Sequence, residues 1–354
     1  MPRSERSAAG PSLALLRRLC TAVAVSGDEA AVRKIILDEV KPFVDDMRVD
    51  ALGNVLATRK GRGPRRLRVM VDAHMDEVGF MVVAEGGDGL YEFSKIGGLD
   101  ERGIAGKQVV VGHKLTPGVI GTKAIHLLSA DDLKHPISMD ALRVDLGPSG
   151  KVNLGDRGSF APNFRRAGPS VMSKSLDNRL GVSILIELLK HAPANVDLLA
   201  AFTVQEEIGL RGAQVAANYF QPDAAIVIDA TPAYDLPLQR EGENTFYNAK
   251  LGQGPAIYVS NGSAVDDPRL VRLLVETATK TKIPYQVRQP GGGGTDSGAI
   301  QRAVHGVPVV SVSVPHRYSH TAMSVARIED WRNTHALAAA ALRRITPDVL
   351  RRHP

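Results

Sequence analysis

Apolar residues recur along this chain with two spacings, and the switch between them divides the sequence. From Leu13 to Val25 and from Asp28 to Val44 they fall three and four apart, the period of an amphipathic helix, with Ser26 or Asp28 placed to cap the second. Met47 to Thr58 and Leu67 to Val71 read as strands, and the Gly61-Arg62-Gly63-Pro64 turn between them predicts a hairpin. After Asp76 the texture changes to short runs (Val78–Ala84, Gln108–Val111, Gly118–Lys123, Leu142–Leu146) broken by Gly-Gly, Gly-Asp-Gly and Pro-Gly, which suggests a small β-barrel or sandwich. Helical spacing returns at Asn178 to Leu189, where Val182, Leu185, Ile186 and Leu189 share a face. Strands and helices then alternate. The pattern predicts a strand to Val204, a helix near 211–219, a strand to Ile228 and a strand pair near Thr245–Ser260. A helix at Pro268–Thr279, a strand at Tyr285–Gln289, a helix near 297–303, a strand at 307–314 and a helix at Val325–Ile345 complete the series. The expected fold is α/β: a mixed central sheet flanked by helices, built from residues 1–77 and 167–354, with an all-β barrel inserted at 78–166.

Four apolar runs end on residue types that bind metals. Leu67 to Val71 leads into Asp72-Ala73-His74-Met75-Asp76-Glu77, Leu198 to Val204 into Gln205-Glu206-Glu207, Ala224 to Ile228 into Asp229, and Val307 to Val314 through Pro315-His316-Arg317-Tyr318 to His320. The carboxyl ends of strands in an α/β sheet share one rim, where ligands bind. A lone Glu-Glu reads as a solvated turn, but four such endings read together as a metal site. Adjacent glutamates at a strand end point in different directions, so Glu206 and Glu207 can do different jobs. Asp177 precedes a helix and by itself reads as its N-cap, yet two divalent ions need a bridging carboxylate and Asp177 offers one. His74-Met75-Asp76 sets a carboxylate where it can orient the imidazole. His113, His126, His135, His191, His305, His316 and His335 lack a strand-end setting of this kind and read as surface or core residues.

Composition narrows the picture. At 354 residues, one large unit plus a smaller one is expected, and 44% apolar with 23% charged residues is ordinary for a soluble protein. No apolar run reaches the roughly 18 residues of a membrane span. Arg17 and Arg18 interrupt the first apolar stretch, which has no clear cleavage site, so a cytoplasmic rather than a secreted protein is expected. The single cysteine, Cys20, excludes an internal disulfide and a thiolate metal site, and its apolar helical face marks it as buried filler. Net charge is +6, and Arg59, Lys60, Arg62, Arg65, Arg66 and Arg68 cluster, but without interleaved aromatics they read as a solvated turn and no nucleic-acid partner is expected.

The sequence resembles the glutamyl and deblocking aminopeptidases, dinuclear metallopeptidases that form tetrahedral shells. The resemblance is carried by Ser26-Gly27-Asp28-Glu29, Val49-Asp50-Ala51-Leu52-Gly53-Asn54, Ala73-His74-Met75-Asp76-Glu77-Val78-Gly79, Ser175-Leu176-Asp177-Asn178-Arg179, Gln205-Glu206-Glu207-Ile208-Gly209, Val227-Ile228-Asp229, Gly294-Thr295-Asp296 and Arg317-Tyr318-Ser319-His320, in family order. It implies two divalent ions per subunit (zinc or cobalt, with manganese as a further candidate), His74 and Asp229 on one, Glu207 and His320 on the other, and Asp177 between them. It also implies Glu206 as general base, Asp76 as orienter of His74, a cis peptide between Asp177 and Asn178, and a dimerisation role for the barrel. Two places depart from the family: only Pro148 to Leu154 stands where a short helical excursion is usual, and Ser297 replaces an alanine.

The expected activity is removal of N-terminal residues from short peptides by a homo-oligomer, a dimer and from it a dodecamer. Two rivals belong to other classes. Glycoside hydrolysis needs two carboxylates flanking a sugar and usually no metal, and a non-catalytic metal-stabilised peptide-binding shell could dispense with Glu206. Ser319 lacks the elbow motif of a serine hydrolase, and Gly291 to Gly294 reads as a cleft wall rather than a phosphate loop.

Overall fold

A computed structural model describes residues 10–352, apart from 65, 132–133, 136, 237–248 and 289–292. The chain opens with α1 (Leu13–Thr21) and α2 (Ala30–Val40), followed by β1 (Asp46–Val49), β2 (Val55–Arg59) and β3 (Leu67–His74). It then leaves for a six-stranded excursion: β4 (Gly79–Gly87), β5 (Leu90–Ile96), the short α3 (Glu101–Ile104), β6 (Gln108–Val111), β7 (Thr116–Gly121), β8 (Arg143–Asp145) and β9 (Arg157–Phe160). These strands close into a barrel in the order β4-β5-β8-β7-β6-β9. Closure leaves no unpaired edge, and alternate residues such as Phe80, Tyr91, Phe93, Val144 and Phe160 fill the interior.

The return runs through β10 (Phe164–Ala167), β11 (Ser170–Ser173), α4 (Leu176–Lys190), β12 (Val196–Thr203), α5 (Arg211–Phe220) and β13 (Ala224–Pro232). It ends with β14 (Ala256–Ile257), α6 (Pro268–Thr281), β15 (Gln286–Val287), α7 (Ser297–Gln301), β16 (Val309–Arg317), β17 (Ser324–Arg327) and α8 (Ile328–Arg344). The large sheet has the order β1-β2-β12-β3-β13-β16-β17-β11-β10, with β12, β3, β13 and β16 parallel. Those four strands are buried almost throughout, as parallel strands covered on both faces must be. One face packs under α1, α2, α4, α6 and α8, and the other under α5 and α7. Helix α4 is buried on nearly every side, which explains why its apolar positions exceed one stripe. The architecture is the expected α/β one, a mixed sheet between helices with a small barrel.

Several local expectations need correction. Strands β2 and β3 do not form a hairpin; β12 lies between them, antiparallel to β2 and parallel to β3. A strand arriving from more than a hundred residues away cannot be read from local periodicity. The arginine-rich segment is therefore a crossover, and much of its charge is tied down. Arg59 donates to the carbonyls of Leu189 and Lys190 at the end of α4, and Arg66 pairs with Asp197 at 2.7 Å. Helix α2 begins after Glu29 with no side-chain cap, and Ser26 is used elsewhere. Residues 324–327 form a strand and not the start of the last helix, because β17 closes the gap between β16 and β11. The first helix ends at Thr21, and of the strand pair near Thr245–Ser260 the described part is β14, residues 245–248 lying outside the described residues.

His335 on α8 is buried, and burial, with His191 and Arg343 adding, pushes its imidazole down to about 4. Between that value and the unfolded value of about 6.5 the unfolded chain binds the extra proton, so stability rises with pH across this window and is lost as pH falls through it. Urea unfolding of metal-free protein between pH 4 and 7 should show the slope, and His335→Met should flatten it. An unchanged slope would assign the acid sensitivity to other groups.

Candidate metal centre

Asp76, just beyond β3, organises the rim. Its carboxylate accepts hydrogen bonds from Ser26 Oγ (2.6 Å) and from the backbone N–H groups of Glu206 (3.1 Å) and Glu207 (3.3 Å). The β12 turn is thereby pinned to the β3 exit, and Thr203 stands directly beside His74 in the parallel register. The turn itself is tight: Gln205 has φ +58° and Gly209 φ +120°, and the Gly209 and Leu210 N–H groups return to Glu206 O. The same Asp76 carboxylate faces His74 Nδ1 at 3.5 Å. That leaves Nε2 pointing at Asp177 Oδ1 (3.2 Å) and Asp229 Oδ1 (3.5 Å).

A second cluster lies on the other side of Asp177. His320 Nε2 is 3.2 Å from Glu207 Oε2 and 3.7 Å from Asp177 Oδ2. His320 is reached through a turn in which Tyr318 and His320 both have positive φ, and its Nδ1 donates to Gly98 O at 3.2 Å. The Asp177–Asn178 peptide is cis, and Asn178 Nδ2 donates to Ile228 O, next to Asp229. Three groups of potential ligands thus crowd together: His74, Asp177 and Asp229; Asp177, Glu207 and His320; and His74, Glu206 and Glu207.

The electrostatics follow from that crowding. Burial raises the Asp229 and Glu207 carboxyls, with Asp177 adding and the imidazoles opposing. Burial raises Glu206 far above the usual range, and Glu207, Asp296 and Asp229 reinforce the shift against His74. Burial alone would depress His320, but Glu207 and Asp177 hold it up at about 9. Burial would likewise raise Asp177, yet His74, then His316 and His320, draw it below the usual carboxylate range. Asp177 Oδ1 is buried and makes no hydrogen bond among the described residues. Oxygen and imidazole donors packed this closely, with a carboxylate facing both ways, fit two hard or borderline divalent ions.

A cavity of about 520 Å³ opens over the site, and beyond the clustered residues its wall includes Leu210, Pro232, Tyr258, Ser263 and Arg288. Gly293 and Gly294 also line it, Gly291 and Gly292 lying outside the described residues. Every predicted site residue is in this one place. Sequence reasoning missed Ser26, taken for a cap, and Gly98, for which a Gly-Gly pair gives no local signal. It also passed over a buried charge cluster behind the site. There Glu77 accepts from Lys174 Nζ at 2.7 Å to both oxygens, from Ser159 of the barrel at 3.0 Å and from Arg179 Nη2 at 3.4 Å. Arg179 also donates to the Met75 and Asp76 carbonyls. His316 is packed in the core of β16 and stays outside the ligand groups.

Comparison with known proteins identifies the family and the fold. The profile described as M42 glutamyl aminopeptidase matches residues 53–337. The chain is 34% identical to the lysyl aminopeptidase of Pyrococcus furiosus over 94% of its own length and 97% of that protein. It superposes on an aminopeptidase from Desulfurococcus kamchatkensis with a TM-score of 0.90, at 32% identity and 96% coverage of both chains. It also superposes on the TET1 peptidase of Pyrococcus horikoshii, described as able to assemble into a tetrahedron or a large octahedral shell, with a TM-score of 0.81 at 31% identity over 94% and 99% of the two chains.

Proposed function

The chain belongs to the M42 glutamyl aminopeptidase family and is an exopeptidase hydrolase, and from that premise we propose a reaction with two divalent cations in which Glu206 is the general base. The observation that carries the proposal is the Asp177 carboxylate, with one oxygen toward His74 and Asp229 and the other toward His320 and Glu207. His74 and Asp229 would hold one cation and Glu207 and His320 the other, with Asp177 shared. Cations there supply Lewis acidity and lower the pKa of water. Glu206 takes the proton of the attacking water and returns it to the leaving amine. Its position is set by Asp76, which grips the backbone of the Glu206-Glu207 turn while orienting His74. Zinc or cobalt suits the donors, and manganese is the next candidate.

The substrate reading is short peptides with a free N-terminus, entering the cavity amine first. Family names divide between glutamyl and lysyl, so membership alone leaves the preferred first residue open. For assembly we propose a twofold dimer paired through the barrel and, from dimers, a twelve-subunit particle, a reading supported by relatives described as a dodecamer and as a tetrahedron. No helix among the described residues is long and apolar enough to cross a membrane, and Cys20 is a buried free thiol, which suits the cytoplasm.

The test is a panel of aminoacyl chromogenic substrates, run after chelation and after adding back zinc, cobalt or manganese, with a soluble β-glucan alongside. Cleavage of aminoacyl substrates that chelation abolishes and metal restores is the expected result. Chelator-resistant glucan cleavage, or metal binding without any turnover, would replace the proposal by one of its rivals.

A further inference from the structure

The two halves of the centre are oriented by different parts of the chain. His74 is almost wholly buried and faces Asp76 on its own strand exit. His320, with a third of its side chain exposed, instead gives its Nδ1–H to the carbonyl of Gly98, which lies between β5 and α3 in the barrel excursion. A carbonyl only accepts, so this contact places the proton of the neutral ring on Nδ1 and leaves the Nε2 lone pair facing Glu207 and Asp177.

The loop touches both ligands. A Cβ added at Gly98 would lie 2.8 Å from His320 Nδ1 and 3.3 Å from its Cε1, and one at Gly97 would lie 3.3 Å from Glu207 Cβ. The next residue, Leu99, is 3% exposed and belongs to the barrel core, and its N–H closes a turn onto Gly97 O. The lip is therefore carried by the barrel and rests on the catalytic site.

We propose that Gly97-Gly98 is a positioning lip through which the barrel sets the His320–Glu207 half of the centre, so that the affinity of this half for its cation is governed from the inserted barrel. The inference rests on the two-cation reading. It makes no use of a barrel side chain; its parts are one backbone carbonyl and the absence of two methyl groups.

Gly98→Ala isolates the contact, because Gly98 does not have the positive φ that makes Gly97 (φ +78°) hard to replace. Gly103→Ala on α3 is the control, since its added methyl meets nothing within 4 Å. Metal-free wild type and both variants are titrated with zinc by calorimetry, and bound zinc per subunit is counted after desalting. The expected result is two sites in wild type and Gly103→Ala. In Gly98→Ala one site is unchanged and the other weakened roughly 10- to 100-fold, the usual effect of disturbing a ligand's orienting partner, with the unfolding midpoint of metal-free protein unmoved. Two wild-type sites in Gly98→Ala, or equal weakening of both, overturns the inference while the two-cation reading stands. A wild type that binds fewer than two zinc ions overturns both. A crystal structure of zinc-loaded wild type checks the idea without any variant: Nδ1 of His320 on the metal, or Gly98 O turned away, overturns it.

Discussion

Glu206→Gln should leave a protein that keeps both cations and still binds peptide, but turns over at least 10²–10⁴-fold more slowly, the usual worth of a general base. Glutamine preserves the size of the side chain and cannot accept the proton. The backbone N–H that Asp76 holds at position 206 is untouched, so the turn stays in place. Glu207→Gln should fail by another route. It replaces an anionic donor 3.2 Å from His320 Nε2 with a weak neutral one, so occupancy falls at that half and excess metal restores part of the rate. Metal per subunit measured beside aminopeptidase rate separates the two. A Glu206→Gln enzyme with the wild-type rate, or one that loses metal as Glu207→Gln does, would reverse the assignment of the two glutamates.

The second large effect is on stability. Glu77, Lys174 and Arg179 are all within 3% of full burial, and Glu77 remains ionised because Lys174 and Arg179 outweigh the cost of burying it. Breaking a buried ion pair by removing one partner costs about 3–5 kcal/mol. The members are not equivalent. Lys174→Met leaves Glu77 with Arg179 at 3.4 Å, whereas Glu77→Gln leaves two buried cations and no anion. Glu77→Gln should therefore be the more destabilising, near the top of that range, and Lys174→Met nearer the bottom. Urea unfolding of metal-free protein at one fixed subunit concentration removes the contribution of metal binding and holds that of assembly constant. Equal losses in the two variants, or the reverse order, would show that the cluster is not held together by its charge balance.

How much of this was legible in the sequence depends on the range of the interaction. The proposed ligands could be found because the parallel strands β3, β12 and β13 bring their carboxyl ends to one rim, so a motif read locally on each run lands in the same place. Asp177 is harder, since the local rules for a helix start make it a cap, and only the demand for a bridge singles it out. The barrel was legible from its short runs and glycine breaks. Its contact with the site was not, because Gly98 acts through a carbonyl that every residue possesses. Ser26 and Lys174 were missed for a related reason: their partners, Asp76 and Glu77, lie 50 and 97 residues away. The same range explains the one error of topology, the placing of β2 beside β3 where β12 intervenes.

The donors of the centre are spread along the chain from His74 to His320, and the last of them follows β16, the strand on which β13 and its Asp229 are registered. A chain still short of β16 carries four of the five proposed metal ligands, but neither the fifth nor the strand on which Asp229 is registered. The proposed centre is therefore complete only once β16 has joined the sheet beside β13 and the turn behind it has delivered His320.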